Sequence, residues 1–363
     1  MTNRHQSRRL FCSALNQSIN VLDFNDFQTE HAAGKEGLIE ILWSLKHSVE
    51  PNVAMEKGLQ RKYALHLQYR NAFRQVLAAL NAANIPVISM RGLSLAESYG
   101  DQIIFRPQSD IDLLFNESDT LMAKQTLGAL GFSPSRSYPD VFVRGNVQLD
   151  LHTEPLGINR IQAWHHLTSL RAPDFFKHAK QGQLMGEDAL LVHPRVMLPY
   201  LCFHALKHSF ERLVWLYDIA LLAKQIEDAN GWFEVEQGIQ EYKLERPCYY
   251  ALAYAKANLD APVPQELLET IKPQMSFFER RLFRRHMNHQ VIPFLAERLF
   301  SRMQPSLKHR IEFWRETIYP RYEIREQMAN GGCVKCSFIR TRLKQLGSAL
   351  KAYTKETFFP GRA

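Results

Sequence analysis

The sequence has no long apolar run. None reaches the ~18–20 residues that a membrane-crossing helix needs, so no transmembrane segment is expected. Met1 to Asn25 is polar and basic until Asp23. It lacks the ~7–15-residue apolar core of a secretory signal. The five cysteines are an odd and scattered set. Cys12, Cys202 and Cys248 are isolated, and only Cys333 and Cys336 lie close together, so no disulfide framework is expected. Zinc would need two further ligands beside that pair, and no second pair exists. Both are read as ordinary thiols, and a reducing cytoplasm is the expected compartment. Internal repeats and long low-complexity segments are also missing.

What remains is ordinary globular composition. Of 363 residues, 45% are hydrophobic and 23% charged, enough for a sizeable core and two domains. The net charge of +8 is local. From Arg302 onward there are thirteen Lys/Arg against five Asp/Glu, which accounts for all of it. Such a basic tail suits an anionic partner, whether nucleic acid, anionic lipid or an acidic protein surface. The plainer reading is a solvated basic face.

Apolar spacing predicts helices over 34–49 and 54–84, the second carrying Leu59, Tyr63, Leu67, Phe73, Val76, Leu77 and Leu80. Pro86 to Met90 reads as a short strand and Leu93 to Tyr99 as one or two helical turns. Asp110 to Phe115 reads as a strand, and Ser118 to Leu130 as a helix closed by Gly131. Val141–Val143 and Val147–His152 read as antiparallel strands joined through Arg144-Gly145-Asn146. Pro155, Gly157, Pro173 and Gly186 then interrupt the pattern. Beyond about residue 190 it is helical: 194–210, 213–226, 232–242, 246–259, 264–272, 275–290 and 308–317. Strands in one region and helices in another predict an α+β protein. The expected divisions are an N-terminal helical segment (1–84), a catalytic domain (85–190), a helical domain (191–317) and the basic tail (318–363).

Asp110 and Asp112 are two apart on a strand, so both carboxylates face one way. Asp150 stands between Leu149 and Leu151 on a second strand. Acids held this close repel unless a cation lies among them, and hard oxygen ligands favour Mg²⁺ or Mn²⁺. Phosphoryl transfer uses such metals to bridge phosphate oxygens. The turn Arg91-Gly92-Leu93-Ser94 follows a strand and opens a helix, where backbone N–H groups and a hydroxyl can hold a phosphate. Arg91 and Arg106 can neutralise phosphate charge. His152 shares the strand face of Asp150. His204 and His208, at i and i+4, share a helix face, with Asp218 on the next helix; these four are candidates for acceptor or base contacts, or for satisfied polar groups.

Three runs carry a family resemblance: Met90-Arg91-Gly92-Leu93-Ser94-Leu95-Ala96, Arg106-Pro107-Gln108-Ser109-Asp110-Ile111-Asp112-Leu113-Leu114 and Asp150-Leu151-His152. Together they resemble the uncharacterised bacterial nucleotidyltransferase family within the DNA polymerase β superfamily. The likeness continues through His204, Lys207-His208, Leu213, Trp215 and Asp218-Ile219, and covers about residues 85–300. It departs from the superfamily pattern where Leu93 separates Gly92 from Ser94 and where Arg91 replaces a lysine. The resemblance implies a polymerase β-type nucleotidyltransferase domain followed by a helical domain. It implies that Asp110 and Asp112 hold metal, that Asp150 completes the site, and that Gly92 and Ser94 face a triphosphate. The implied reaction moves a nucleoside monophosphate from an NTP such as ATP to a hydroxyl acceptor (a small molecule, a sugar precursor or a protein side chain) and releases pyrophosphate. Two alternatives stand beside it: a catalytically decayed nucleotide-binding regulator or scaffold, and an RNA-directed nucleotidyltransferase that uses the basic tail.

Overall fold

The computed structural model describes residues 4–16, 27–47, 57–135, 138–157, 161–226 and 229–322, with isolated positions beyond. Most of the basic tail, including Cys333 and Cys336, lies outside the described residues. The chain opens with helices α1 (Arg4–Asn16), α2 (Phe27–Glu36), α3 (Ile39–His47) and α4 (Lys57–Ala82). The single helix expected over 34–49 is broken, because Gly37 takes a left-handed φ of +71° and turns the chain between α2 and α3. In α4 the buried stripe is Tyr69, Phe73, Val76 and Leu80. Leu67, expected on that stripe, is 41% exposed because it sits off the 3–4-residue spacing of the others.

A small mixed sheet follows. Its strands are β1 (Ile88–Ser89), β2 (Ile111–Leu114), β3 (Ser133–Pro134), β4 (Val141–Arg144) and β5 (Val147–His152), in the order β1-β2-β5-β4-β3. Between them lie a 3₁₀ turn over Gly92–Leu95, helix α5 (Ala96–Tyr99), a 3₁₀ stretch over Gly100–Phe105, and helix α6 (Thr120–Ala129). β2 runs parallel to β5, while the other neighbouring pairs are antiparallel. The β4–β5 hairpin turns at Gly145-Asn146 with Gly145 at φ +59°, which suits a two-residue turn with glycine first. Along β5, Val147, Leu149 and Leu151 are buried, while Gln148, Asp150 and His152 are half-buried on the other face.

Between 155 and 190, where the periodicity fails, the chain makes helix α7 (Ala172–Lys177) and a hairpin of β6 (Ala179–Leu184) and β7 (Glu187–Val192). The hairpin was invisible because Ala179–Leu184 is mostly open to solvent and does not alternate apolar with polar residues. Its turn places Met185 and Gly186 both at positive φ.

The helical region comprises α8 (Pro194–Lys207), α9 (Leu213–Lys224), α10 (Ala229–Glu241), α11 (Glu245–Asn258), α12 (Gln265–Thr270), α13 (Phe277–Met287), α14 (Leu295–Met303) and α15 (Leu307–Ile318). His193 caps α8 by accepting the Arg195 N–H at 3.2 Å. Pro199 inside α8 cannot donate to the Arg195 carbonyl. Gly238 of α10 packs there; a Cβ on it would stand 2.2 Å from that carbonyl oxygen. The predicted arrangement, an α+β part with a small mixed sheet followed by helices, is what the structure shows. One continuous buried core runs from Phe11 to Phe313 across all of it. No helix among the described residues is long and apolar enough to cross a membrane.

Candidate functional site

The register of β2 on β5 sets the site. Asp112 is the direct cross-strand partner of Asp150, so the two side chains leave one sheet face side by side. His152, two residues on, shares that face. Ligand atoms of Asp112, Asp150 and His152 all lie within 4.8 Å of one another. His152 Nε2 is 3.0 Å from Asp112 Oδ1 and 3.4 Å from Asp150 Oδ2. Asp110 sits just before β2 on the rim of the same cleft, with its Oδ1 accepting from Ser109 Oγ at 2.8 Å. Tyr69 of α4 fixes that approach by donating to the Ser109 carbonyl at 2.7 Å. The closest donor set therefore contains His152 where Asp110 was expected.

The electrostatics are those of crowded acids. Burial pushes the Asp110 carboxyl up, and the like charge of Asp112 adds to it. Asp150 is likewise raised by burial, with Asp112 and Asp110 opposing the help of His152. Asp112, only 3% exposed, goes the other way. Burial would raise it, but the Arg91 charge and the His152 hydrogen bond hold it well below the usual carboxylate range. Arg91 donates through Nη2 to Asp112 Oδ1, and its Nη1 lies 2.8 Å from a ring nitrogen of His204. A guanidinium and an imidazole thus converge on one buried oxygen.

Several expected residues behave differently. Arg106 and Asp218, expected in separate roles, meet each other. Arg106 donates Nε to Asp218 Oδ1 at 2.9 Å and Nη2 to Oδ2 at 2.6 Å, and Tyr99 donates to Oδ1 at 2.7 Å. This buried bidentate pair ties the strand region to α9 and engages both Asp218 oxygens within the chain. Gly92 lines the cleft with φ +62°, but the space beside it is filled by the Gln108 amide, 2.3 Å from where a Cβ would stand. Ser94 does not face the acids. It lines a second cavity with Ser89, Leu184 and Met197. Ser89 of β1, which lines the same cavity, pairs with Leu113 and so faces away from Asp112.

His204 and His208 share a face as their spacing predicts. Their rings pack 4.8 Å apart and both meet Trp215, at 5.4 and 5.0 Å. Burial first, then neighbouring cations, lowers both; His208 falls to about 4, and each is neutral near pH 7. They form an aromatic wall of the cleft. Lys207 turns away to the Leu156 carbonyl.

Sequence reasoning missed Tyr200, Gln108 and Arg212. Tyr200 is buried under the acids, and burial plus their charge raises its hydroxyl. Gln108 was legible only as a filler between Arg106-Pro107 and Asp110. Arg212 lies in the short joint between α8 and α9, where nothing in the pattern marks it. Both line the cleft beside Asp110 and Asp112.

Paired acids on a small mixed sheet, walled by helices, are the arrangement expected of a transferase of phosphorus-containing groups. The match to known families fixes this further: residues 35–260 fit the family described as uncharacterised nucleotidyltransferase, and the chain belongs to it. No curated protein and no solved structure matches the chain.

Proposed function

We propose that the protein is a metal-dependent nucleotidyltransferase that moves a nucleoside monophosphate from an NTP to a hydroxyl acceptor. The observation that carries the reading is the direct pairing of Asp112 with Asp150, with His152 beside both. The donor set suits a divalent cation: two carboxylates and an imidazole whose ligand atoms lie within 4.8 Å of one another, a third carboxylate at the rim, and the Arg91 guanidinium already drawn to Asp112. Asp112, Asp150 and Asp110 would hold Mg²⁺ or Mn²⁺, with His152 as a further ligand or as the partner that orients them. When bound, such a metal neutralises phosphate charge and positions the reacting oxygens.

The chain's own residues do the rest. Asp150, with its carboxyl raised, accepts the proton of the acceptor hydroxyl. The acceptor oxygen attacks the α-phosphorus, the bond from that phosphorus to the bridging oxygen breaks, and pyrophosphate leaves with the electron pair. Arg91, held against Asp112 and His204, offsets the charge of the crowded acids. Arg106 and Asp218 act as a strut rather than as contacts. Residues 191–317 supply the wall of His204, His208 and Trp215 against base or acceptor. A small molecule, a sugar precursor or a protein side chain fits the acceptor position.

The test is an incubation of the protein with Mg²⁺, each α-labelled NTP in turn, and a cell extract as acceptor source. Labelled product and pyrophosphate are expected with at least one NTP, and neither without the metal. Absence of both with every NTP would sink the reading.

A further inference from the structure

We propose that Arg212, together with the amide of Gln108, receives the polyphosphate tail of the nucleotide, the part that leaves as pyrophosphate. This rests on the nucleotidyltransferase reading and names the half of the site that it leaves open.

Three arginines line the cleft: Arg91, Arg106 and Arg212. A phosphate needs donors that are not already spent. Arg91 is engaged by Asp112 and His204. Arg106 spends Nε and Nη2 on Asp218 and Nη1 on the Pro107 carbonyl at 3.1 Å. The Arg212 guanidinium has no carboxylate or hydrogen-bond acceptor among the described residues. Burial and the like charge of Arg106 lower its pKa, with the charges of Asp218, Glu36 and Glu40 pulling the other way.

The surroundings fit an anion. Arg212 is the N-cap of α9, a twelve-residue helix whose first-turn residues Val214 and Trp215 also line the cleft. A helix start favours negative charge. Gln108 supplies an independent sign. It is 9% exposed, it lines the same cleft, and its Nε2 has no partner. A buried amide donor left without an acceptor is costly unless a ligand supplies one.

The fold also holds Arg212 in place. Arg8 of α1 donates to the Phe210 carbonyl at 2.8 Å, and Glu36 of α2 accepts the Leu213 N–H at 2.9 Å. The guanidinium lies over Gly37, where a Cβ would come within 2.4 Å of Nη2. A planar fork held this way can take two phosphate oxygens at once. As the α-phosphorus bond breaks, charge grows on the departing pyrophosphate, and a fixed guanidinium there stabilises it.

Calorimetric titration of the full chain, with Mg²⁺ present, separates the outcomes. The probes are inorganic pyrophosphate, each NTP and the matching nucleosides. Arg212→Gln is expected to weaken pyrophosphate and NTP binding by about 10- to 100-fold, the effect of losing a charged hydrogen-bond donor. Nucleoside binding and the unfolding temperature are expected to stay unchanged, and Arg212→Lys to recover part of the loss. Unchanged pyrophosphate binding in Arg212→Gln would overturn the assignment while leaving the transferase reading intact. So would an equal loss of nucleoside binding, which would mark a role in cleft shape. A wild-type protein that binds neither pyrophosphate nor any NTP would overturn both.

Discussion

Two buried charge centres in this molecule look alike in composition and differ in how they are closed. In the first, Arg8 and Glu36 meet at 2.7 Å with both side chains 1% exposed. Arg4 and the Leu213 N–H take further Glu36 oxygen lone pairs, and Arg8 donates on to the Phe210 carbonyl. Burial alone would raise the Glu36 carboxyl, but Arg8 and Arg4 hold it below its ordinary range. In the second, Asp110, Asp112 and Asp150 crowd one sheet face with Arg91 and His152 beside them, and Arg212 stands nearby without an acceptor. The first centre pairs its acid and its cation within the chain, with Arg8 Nε alone left without a partner among the described residues, and binds α1 and α2 to the joint before α9. The second is arranged for something from outside. A charge cluster closed by its own backbone holds a fold, whereas one left open toward a cleft marks chemistry.

The contrast is broken most sharply at the open centre. Asp112→Asn should lower nucleotidyl transfer by ~10³-fold or more, as loss of a metal-bridging carboxylate does, while far-ultraviolet circular dichroism stays native. Steady-state assays with saturating Mg²⁺ check it. At the closed centre the same kind of change should act on stability. Glu36→Gln leaves Arg8 buried without its counter-charge, and denaturant unfolding should show a loss of ~3–5 kcal/mol.

Protons sharpen the same comparison. His286 packs on Phe210 with ring centroids 4.5 Å apart, and burial lowers it to about 3. Its ordinary value is 6.5. Between those values the unfolded chain binds more protons than the folded one, so stability falls as pH falls. The contribution of neutral His286 is complete above pH ~6.5 and drains toward pH ~3, and should amount to a few kcal/mol in a urea series across that range. A flat profile would remove His286 from the account.

Smaller effects should mark residues outside both centres. Glycine to alanine in a helix usually gains ~1 kcal/mol. At Gly238 the added Cβ meets the Arg195 carbonyl, so Gly238→Ala should instead lose ~1–3 kcal/mol by thermal unfolding. Lys124→Ala removes an exposed pair with Asp140, 2.8 Å in length, and should change stability by less than ~0.5 kcal/mol.

The sequence made the acids of this comparison legible because strand alternation is local. Asp110-Ile111-Asp112 and Leu149-Asp150-Leu151 each state their face within three residues. The hairpin at Gly145 and the helices from Pro194 onward were readable for the same reason. What escaped was non-local. Nothing local in Arg106 or Asp218 says that they pair across 112 positions. Ser94 follows Gly92 closely, yet the turn sends it to the other side of the sheet. Arg8 and Arg212 sit in segments without apolar period, and their roles exist only once α1, α2 and the joint before α9 come together. Gly37 is the instructive case, since it falls inside the single helix expected over 34–49. Its positive φ and the guanidinium resting on it need both partners to be seen.

The central claim is that the Asp112–Asp150 face holds a divalent cation for a nucleotide. Electron paramagnetic resonance of Mn²⁺ titrated into the full chain tests it most directly, with and without NTP. The account predicts Mn²⁺ binding that NTP tightens in the wild type and that Asp112→Asn and Asp150→Asn each abolish or weaken at least ~10-fold. Equal Mn²⁺ binding by the wild type and both variants would contradict it.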